Sequence, residues 1–462
     1  MEAPAVGERP KRPLRRSLQL VAVALAVAVA FADSSIVVLA LPEIFTEFAT
    51  TIEGVAWVIT SYNVVVAVCA LALVLAVHRM RARLVLAVGA LVFLAASVAC
   101  ALAGSLGVLI AARSVQGIGG ALLLAGSLPV LGEIAGSSAR GVAVWTAAAT
   151  IGAAVGPALG GALTQVFDWP AVFAVQAPIA GATLLVAFGA HAGATQKERT
   201  GAPLLPVAPA NLCLALIFGA LAGTLFLGVL LVINVFGYSP IQGALIVSLI
   251  PAGTLLASPL AAGLSLALAV GGGAALLAPG LLGLALLPST DIGYAMVAFA
   301  LCGVGLGLSV PRLTTAVLGD GNDIGRRGTL TVGARHLGLV VALAVVAPIL
   351  ASDLTASSDV AVLNATAVVV DGRISATTKI PLALDIRDVL DQASESEIPD
   401  FTAVFEEHGS ETDPAVRRVQ DDLVDAIAEA ITRGFRASFS FCALLAALAI
   451  GATIVFRRRL AP

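Results

Sequence analysis

Stretches of about twenty apolar residues, each long enough to cross a bilayer as a helix, recur along the chain with short polar breaks between them. Twelve such spans are predicted, at 18–42, 54–77, 84–104, 106–132, 141–166 and 170–190, then at 210–236, 240–264, 268–288, 292–317, 329–351 and 434–456. Residues 191–209, with Lys197, Glu198 and Arg199, separate six spans from six. The pattern predicts an all-α polytopic membrane protein of two six-helix bundles, 18–190 and 210–351 plus 434–456. Between the last two spans lies a long polar insert, 352–433. Short tails, 1–17 and 457–462, complete the division.

Composition agrees with that pattern. Hydrophobic residues make up 59% of the chain and charged ones 12%, against about 25% charged in soluble domains. The net charge of -3 hides a sorting by side. Arg9, Lys11, Arg12, Arg15 and Arg16 precede the first span, and Arg79, Arg81 and Arg83 follow the second. Arg140, Lys197, Arg199, Arg326, Arg327 and Arg457 to Arg459 lie on that same side, whereas the opposite short loops carry Glu43, Glu47, Glu53, Asp168 and Asp291 without Lys or Arg. By the positive-inside rule both termini are expected in the cytoplasm, with the protein in the cytoplasmic membrane. The first apolar run is too long for a signal-peptide core and reads as a retained span. Cys69, Cys100, Cys213, Cys302 and Cys442 all fall in apolar runs and read as small core residues.

The insert is expected outside, and from Asp353 to Glu429 it holds seventeen acidic residues against five basic ones. Its β-branched run 360–380 suggests a hairpin turning at Asp371-Gly372, while 384–393 and 413–433 have helical periodicity, the second running into the last span. Phe401, Phe405 and the aliphatic positions favour an ordered cap over a solvated acidic loop, and a partner for it is left open.

Charges inside spans are costly and mark functional positions. Asp33 is the carboxylate set well inside an apolar run, and Arg113 lies inside the fourth span with Gln116, Gly117 and Gly120 on one helical face. Two readings stand: a proton-coupling pair, or a fixed ion pair tying the first and fourth spans together. Glu133, Arg312 and Arg335 read as helix-end or snorkelling residues, and His336 as a helix-end polar group. In the fifth span, ATIGAAVGPALGGAL sets Gly152, Gly156 and Gly160 four residues apart, with Pro157 and Gly161 beside them. That spacing lets a second backbone approach closely, and the proline predicts a bend.

Four stretches together resemble the drug:proton antiporters of the major facilitator superfamily: FADSSIVVLALPEI around Asp33, WVITSYN from Trp57 to Asn63, LIAARSVQGIGGALL around Arg113, and GAAVGPALGG from Gly152 to Gly161. NVFGYSPIQGALIVSLIP, at the junction of the seventh and eighth spans, is a weaker fifth match. The resemblance implies alternating access between two bundles and proton-driven export. It implies Asp33 as proton site and Arg113 as its partner. It also makes Gly152, Gly156, Pro157, Gly160 and Gly161 a hinge and packing face between the halves. Trp57, Tyr62, Asn63 and Asn234 are the expected cavity residues. Two departures stand out. LVLAVHRMRAR has Val77 where the superfamily's loop carries an Asp, and Met80 where it carries a Gly, so the usual inner latch is missing. The outer insert is the second.

Export of amphipathic drugs, export of lipids or envelope precursors, and a non-transporting scaffold or sensor are the competing functions. No phosphate-binding Gly-x-x-x-x-Gly-Lys loop and no metal-ligand spacing among His78, His191, His336 and His408 points to an enzyme or a cofactor. The expected partners are a hydrophobic small-molecule or lipid substrate, protons and membrane lipid, with no nucleic acid, and the expected state is a monomer.

Overall fold

A backbone in hydrocarbon must satisfy its own polar groups, and an apolar chain does so by coiling into helices. The structure is a computed structural model describing residues 12–189, 204, 207–287, 291–319, 323–392, 401–410 and 413–455. The tail arginines 457–459 and nearly all of the 191–209 linker lie outside the described residues. Among the described residues every regular element is helical and none is a strand.

The first six spans are α1 (Arg12–Val38), α3 (Ile52–Leu73), α4 (Ala82–Ala101), α5 (Leu106–Ala135), α6 (Ser138–Phe167) and the pair α7 (Ala171–Ala174) and α8 (Gln176–Gly189). The predicted first span ran to residue 42, but α1 ends at Val38, and a separate helix α2 (Leu41–Glu47) carries Pro42 in its first turn. Proline is tolerated there because the first helical amides lack acceptors in any case. At the tight turn between α5 and α6, Gly136 adopts φ 80°, a left-handed conformation natural to glycine. Ser137 then caps α6 by accepting from the Arg140 amide at 3.2 Å.

The other six are α9 (Ala208–Leu230), α10 (Pro240–Val247) with α11 (Leu249–Ala261), α12 (Leu266–Ala285), α13 (Ile292–Leu318), α14 (Ile324–Asp371), and α17 (Pro414–Gly434) running into α18 (Arg436–Val455). A π-helical segment, Leu231–Val235, prolongs α9.

The two halves pack alike. In the first, α1 lies on α6 and α8, α4 on α5 and α8, and α3 on α5. In the second, α9 lies on α14 and α18, α12 on α13 and α18, and α11 on α13. These are the same pairs shifted by six spans, the internal two-fold typical of membrane carriers. The contacts between halves obey it too, since α3 meets α14 where α6 meets α10 and α11.

The insert departs from the expected hairpin. Residues 360–371 are the end of α14, and the chain turns at Gly372 into another helix, α15 (Ala376–Gln392), followed by α16 (Thr402–Glu407) and α17. The turn falls where expected, but the arms are helices. At 48 residues, α14 is about 72 Å long, more than twice the ~30 Å of a hydrocarbon core. Its buried positions Leu354, Ala361, Ala365 and Val369 recur at helical spacing opposite Val416, Val419, Leu423 and Ile427 of α17. That shared stripe outweighs the strand propensity of the β-branched residues. Phe401 and Phe405 are buried beneath it, so the insert is an ordered helical body.

Phe405→Ala is expected to cost about 3–5 kcal/mol within the insert. Hydrogen exchange should speed up in α15 to α17 and the outer end of α14, with α1 to α13 unchanged.

Candidate functional site

The one carboxylate and one guanidinium singled out in the first and fourth spans meet. Asp33 and Arg113 are both fully buried, with Asp33 Oδ1 at 2.8 Å from Arg113 Nη1 and Oδ2 at 2.7 Å from Nη2. Such a two-point pairing matches a guanidinium to a carboxylate plane and fixes both side chains. Arg113 Nε donates to the Val58 carbonyl at 2.9 Å, and Nη1 also donates to Gln116 Oε1 at 2.5 Å. Its guanidinium lies 4.4 Å from the ring centre of Tyr62 and 5.5 Å from that of Phe173.

Gln176 completes the cluster, donating to Asp33 Oδ1 at 3.0 Å and accepting from Gln116 Nε2 at 3.1 Å. Gln116 Nε2 also donates to Ser97 at 2.9 Å. Neither Gln176 nor Ser97 was expected in the site. A lone Gln in an apolar sixth span was the available signal, since a buried amide needs partners.

The span-4 glycines have a stated task. A Cβ on Gly117 would lie 2.7 Å from the Tyr62 carbonyl, and one on Gly120 would lie 2.7 Å from the Tyr62 hydroxyl. Only a bare backbone lets α3 and its tyrosine seat against α5. In α6, side chains at Gly152 and Gly160 would overlap the backbone carbonyls of Ala28 and Ile36, and one at Gly156 would overlap the Ser35 hydroxyl. All three partners belong to α1, so these glycines pack within their own half and not between halves as expected. Gly161 does face the other half, where its Cβ would lie 2.8 Å from the Pro240 carbonyl. α6 continues through Pro157 from Ser138 to Phe167.

A cavity of about 970 Å³, including its open mouth, lies between the halves. Phe31, Ser34, Ser35, Thr146, Ala149 and Thr150 line it from the first half, with Phe218, Pro251, Thr254, Arg335, His336 and Leu339 among those from the second. None of the four expected cavity residues lines it. Trp57 is 52% exposed, Tyr62 is buried against Arg113, and Asn234 is half-buried in the π-helical segment. Asn63 sits one layer behind the wall, paired with Ser34 at 3.1 Å through its amide nitrogen and with His336 Nδ1 at 2.6 Å through its oxygen.

Arg335 and His336 therefore need correction. They are buried and line the cavity about 16 Å along α14 from its start, near the middle of a ~30 Å core. Sequence position alone put them near a helix end because the predicted span began at residue 329. Glu133 does lie at the end of α5, where it pairs with Arg83 at 2.8 Å, and Arg312 donates to the Leu264 carbonyl at 2.9 Å. Where the usual latch residue is replaced by Val77, the halves are joined instead by Arg326, whose Nε donates to the Val74 carbonyl at 3.3 Å.

Two helical bundles related by an internal two-fold, with a cavity between them and a charge pair buried behind its wall, define the architecture of secondary membrane carriers. The family model described as Major Facilitator Superfamily matches residues 23–343, and the chain belongs to that superfamily. It is similar to the multidrug resistance protein Stp of Mycobacterium tuberculosis, 32% identical over 172 residues, which are 37% of this chain and 32% of that protein. It is also similar to the multidrug efflux pump LfrA of Mycolicibacterium smegmatis, 30% identical over 37% of this chain and 34% of the pump. The methylenomycin A resistance protein of Streptomyces coelicolor is 29% identical over 230 residues, 48% of each chain. The match thus spans about a third to a half of these relatives. Among solved structures, a bacterial homolog to the human lysosomal transporter Spinster, inward-facing and occupied, superposes with a TM-score of 0.65 over 98% of both chains at 15% identity. That likeness concerns the fold.

Arg113→Gln leaves Asp33 buried without its counter-charge and is expected to cost about 3–5 kcal/mol. Thermal unfolding in detergent should show the loss, with partial recovery in the double variant Asp33→Asn/Arg113→Gln. The glycines should differ as well. Gly152→Ala, pressed against an immovable carbonyl, should lower Tm more than Gly156→Ala, which meets a hydroxyl able to rotate.

Proposed function

We propose that this protein is a proton-coupled exporter of hydrophobic or amphipathic small molecules, working by alternating access in the cytoplasmic membrane. The observation that carries the reading is the placement of the Asp33–Arg113 pair directly behind the wall of the cavity between the halves. Ser34, the neighbour of Asp33, lines that cavity and is hydrogen-bonded to Asn63, which in turn holds His336 of the opposite half. A proton on Asp33 cancels its charge, weakens its hold on Arg113, and shifts the segment that joins the two halves. Release of the proton restores the pair. One carboxylate thus senses proton supply and reports it to the interface that must rearrange. The names of the relatives, multidrug efflux and antibiotic resistance among them, support the export direction.

In this reading the end carrying Arg16, Arg83 and Arg326 faces the cytoplasm, as the positive-inside rule requires, and both termini lie there. The helical insert then stands outside, and the 191–209 segment is the cytoplasmic linker. The glycines of α6 serve as a rigid seam holding α1 and α6 together, so that the first half moves as one body. The protein acts as a monomer in lipid, without enzymatic activity.

A second reading, export of a lipid or envelope precursor, is favoured by the insert. An ordered helical body beside the outer ends of α9, α14 and α18 is placed to receive a molecule that water cannot carry away.

Everted vesicles with an imposed pH gradient test the proposal, using a fluorescent amphiphile and a fluorescent lipid as cargo. Uptake of at least one, with loss of tenfold or more in Asp33→Asn, is the expected result. Full proton-driven transport by Asp33→Asn would remove this residue from coupling.

A further inference from the structure

Arg335 is a buried cation with no carboxylate in salt-bridge reach among the described residues. One guanidinium nitrogen bonds the Thr314 hydroxyl, and the plane is flanked by aromatic rings, 4.7 Å from Phe218, 5.3 Å from Phe31 and 5.8 Å from Trp145. Its Nε is buried and has no hydrogen-bond partner. No acidic side chain is among the residues lining the cavity, and Asp33 is committed to Arg113. A buried guanidinium with no counter-charge is costly even when rings and one hydroxyl flank it, and charges at such depth mark substrate or ion pathways.

We propose that the cavity binds an amphiphile with an oxyanion head, a carboxylate or a phosphate, whose charge is met by Arg335 and whose apolar body lies along the aromatic and aliphatic wall. The inference rests on the transporter reading and names its substrate class. It disfavours lipophilic cations, which the buried guanidinium would repel. Symmetry sharpens the point. Ala149 and Arg335 each lie eleven residues past the first residue of their helix, α6 and α14 respectively, and both line the cavity. The first half thus offers a methyl where the second offers a cation, so the cavity has one charged pole and the head group has one place to go. His336, next in the chain, has its Nδ1 engaged by Asn63 and leaves Nε2 without a partner, a further polar atom beside that pole.

The test measures binding to purified protein in detergent with three matched fluorescent probes: a dansyl fatty acid, the dansyl alkylamine of equal chain length, and a dansyl lysophosphatidate. The wild type should bind one or both anionic probes at least tenfold more tightly than the amine. Preference for the carboxylate alone identifies a fatty-acid-like cargo, and preference for the phosphate a lipid head group. Arg335→Gln should erase the preference while leaving amine binding equal or stronger, and Arg335→Lys should keep most of it. Equal affinity for all three probes, or tighter amine binding by the wild type, overturns the proposal, and this arm needs no variant to fold. Anion-selective binding without proton-driven movement of the bound probe in proteoliposomes would sink the transporter reading and leave the site standing.

Discussion

Burying a carboxylate in hydrocarbon is costly, and a second charge in good geometry offsets that cost, as Arg113 does for Asp33. Much of the first half is arranged so that the pair can form. α1 must approach α5 and α8 closely enough for Asp33 to reach both Arg113 and Gln176, and the glycines of α6 allow α1 to settle at that distance. Gly117 and Gly120 admit Tyr62, whose ring then covers one face of the guanidinium. Gln116 bonds Arg113 Nη1 and Gln176 bonds Asp33 Oδ1, while Ser97 bonds Gln116 in turn, so that the pair is tied to α4, α5 and α8. Between this network and the cavity stands Ser34, which lines the wall and is bonded to Asn63 one layer behind it.

The legible part of this protein is what the bilayer dictates. Span count and order follow from apolar length, and the elements 106–132, 141–166 and 292–317 fall within a few residues of α5, α6 and α13. Asp33 and Arg113 announced themselves because charges at such depth are rare. The hidden part depends on depth and on partners. Arg335 looked peripheral because the polar residues before it were counted as outside the span, whereas α14 already begins at Ile324. Trp57 matched a motif yet does not line the cavity, since motif and periodicity alone do not say which face of an apolar helix turns inward when all faces are apolar. Within the insert only the arms of the 360–380 hairpin differ from expectation, and for the opposite reason: β-branched residues carry strand propensity locally, but α17 offers a complementary stripe that local composition does not reveal.

The two halves share a plan that their residues barely show. Gly152 and Gly338 each lie fourteen residues past the start of their helix, and each presses on the equivalent alanine, Ala28 of α1 or Ala215 of α9. Close approach of two backbones tolerates no substitute, so this contact survives in both copies while side chains around it diverge. Five residues beyond those alanines, the first half has Asp33 and the second has Ala220. The polar chemistry has accordingly been divided: the first half keeps the paired charges, and the second keeps the unpaired one.

That division has a mechanical consequence. If both halves carried the same ion pair, protonation would loosen both alike and give no direction to the change. With the pair in one half only, the proposed mechanism has a proton act on the first half at Asp33 and a cargo that satisfies Arg335 act on the second. The two sites come closest through one contact, Asn63–His336 between α3 and α14. His336 adjoins Arg335 in the chain, as Ser34 adjoins Asp33, so each charged residue sits one peptide away from a member of that bridge. A short polar bridge flanked by both sites is the shortest physical path on which proton and cargo can influence one another. On the proposed mechanism, coupling between them would require no long relay through the helices, only that the bridge have different strengths when either side changes its charge.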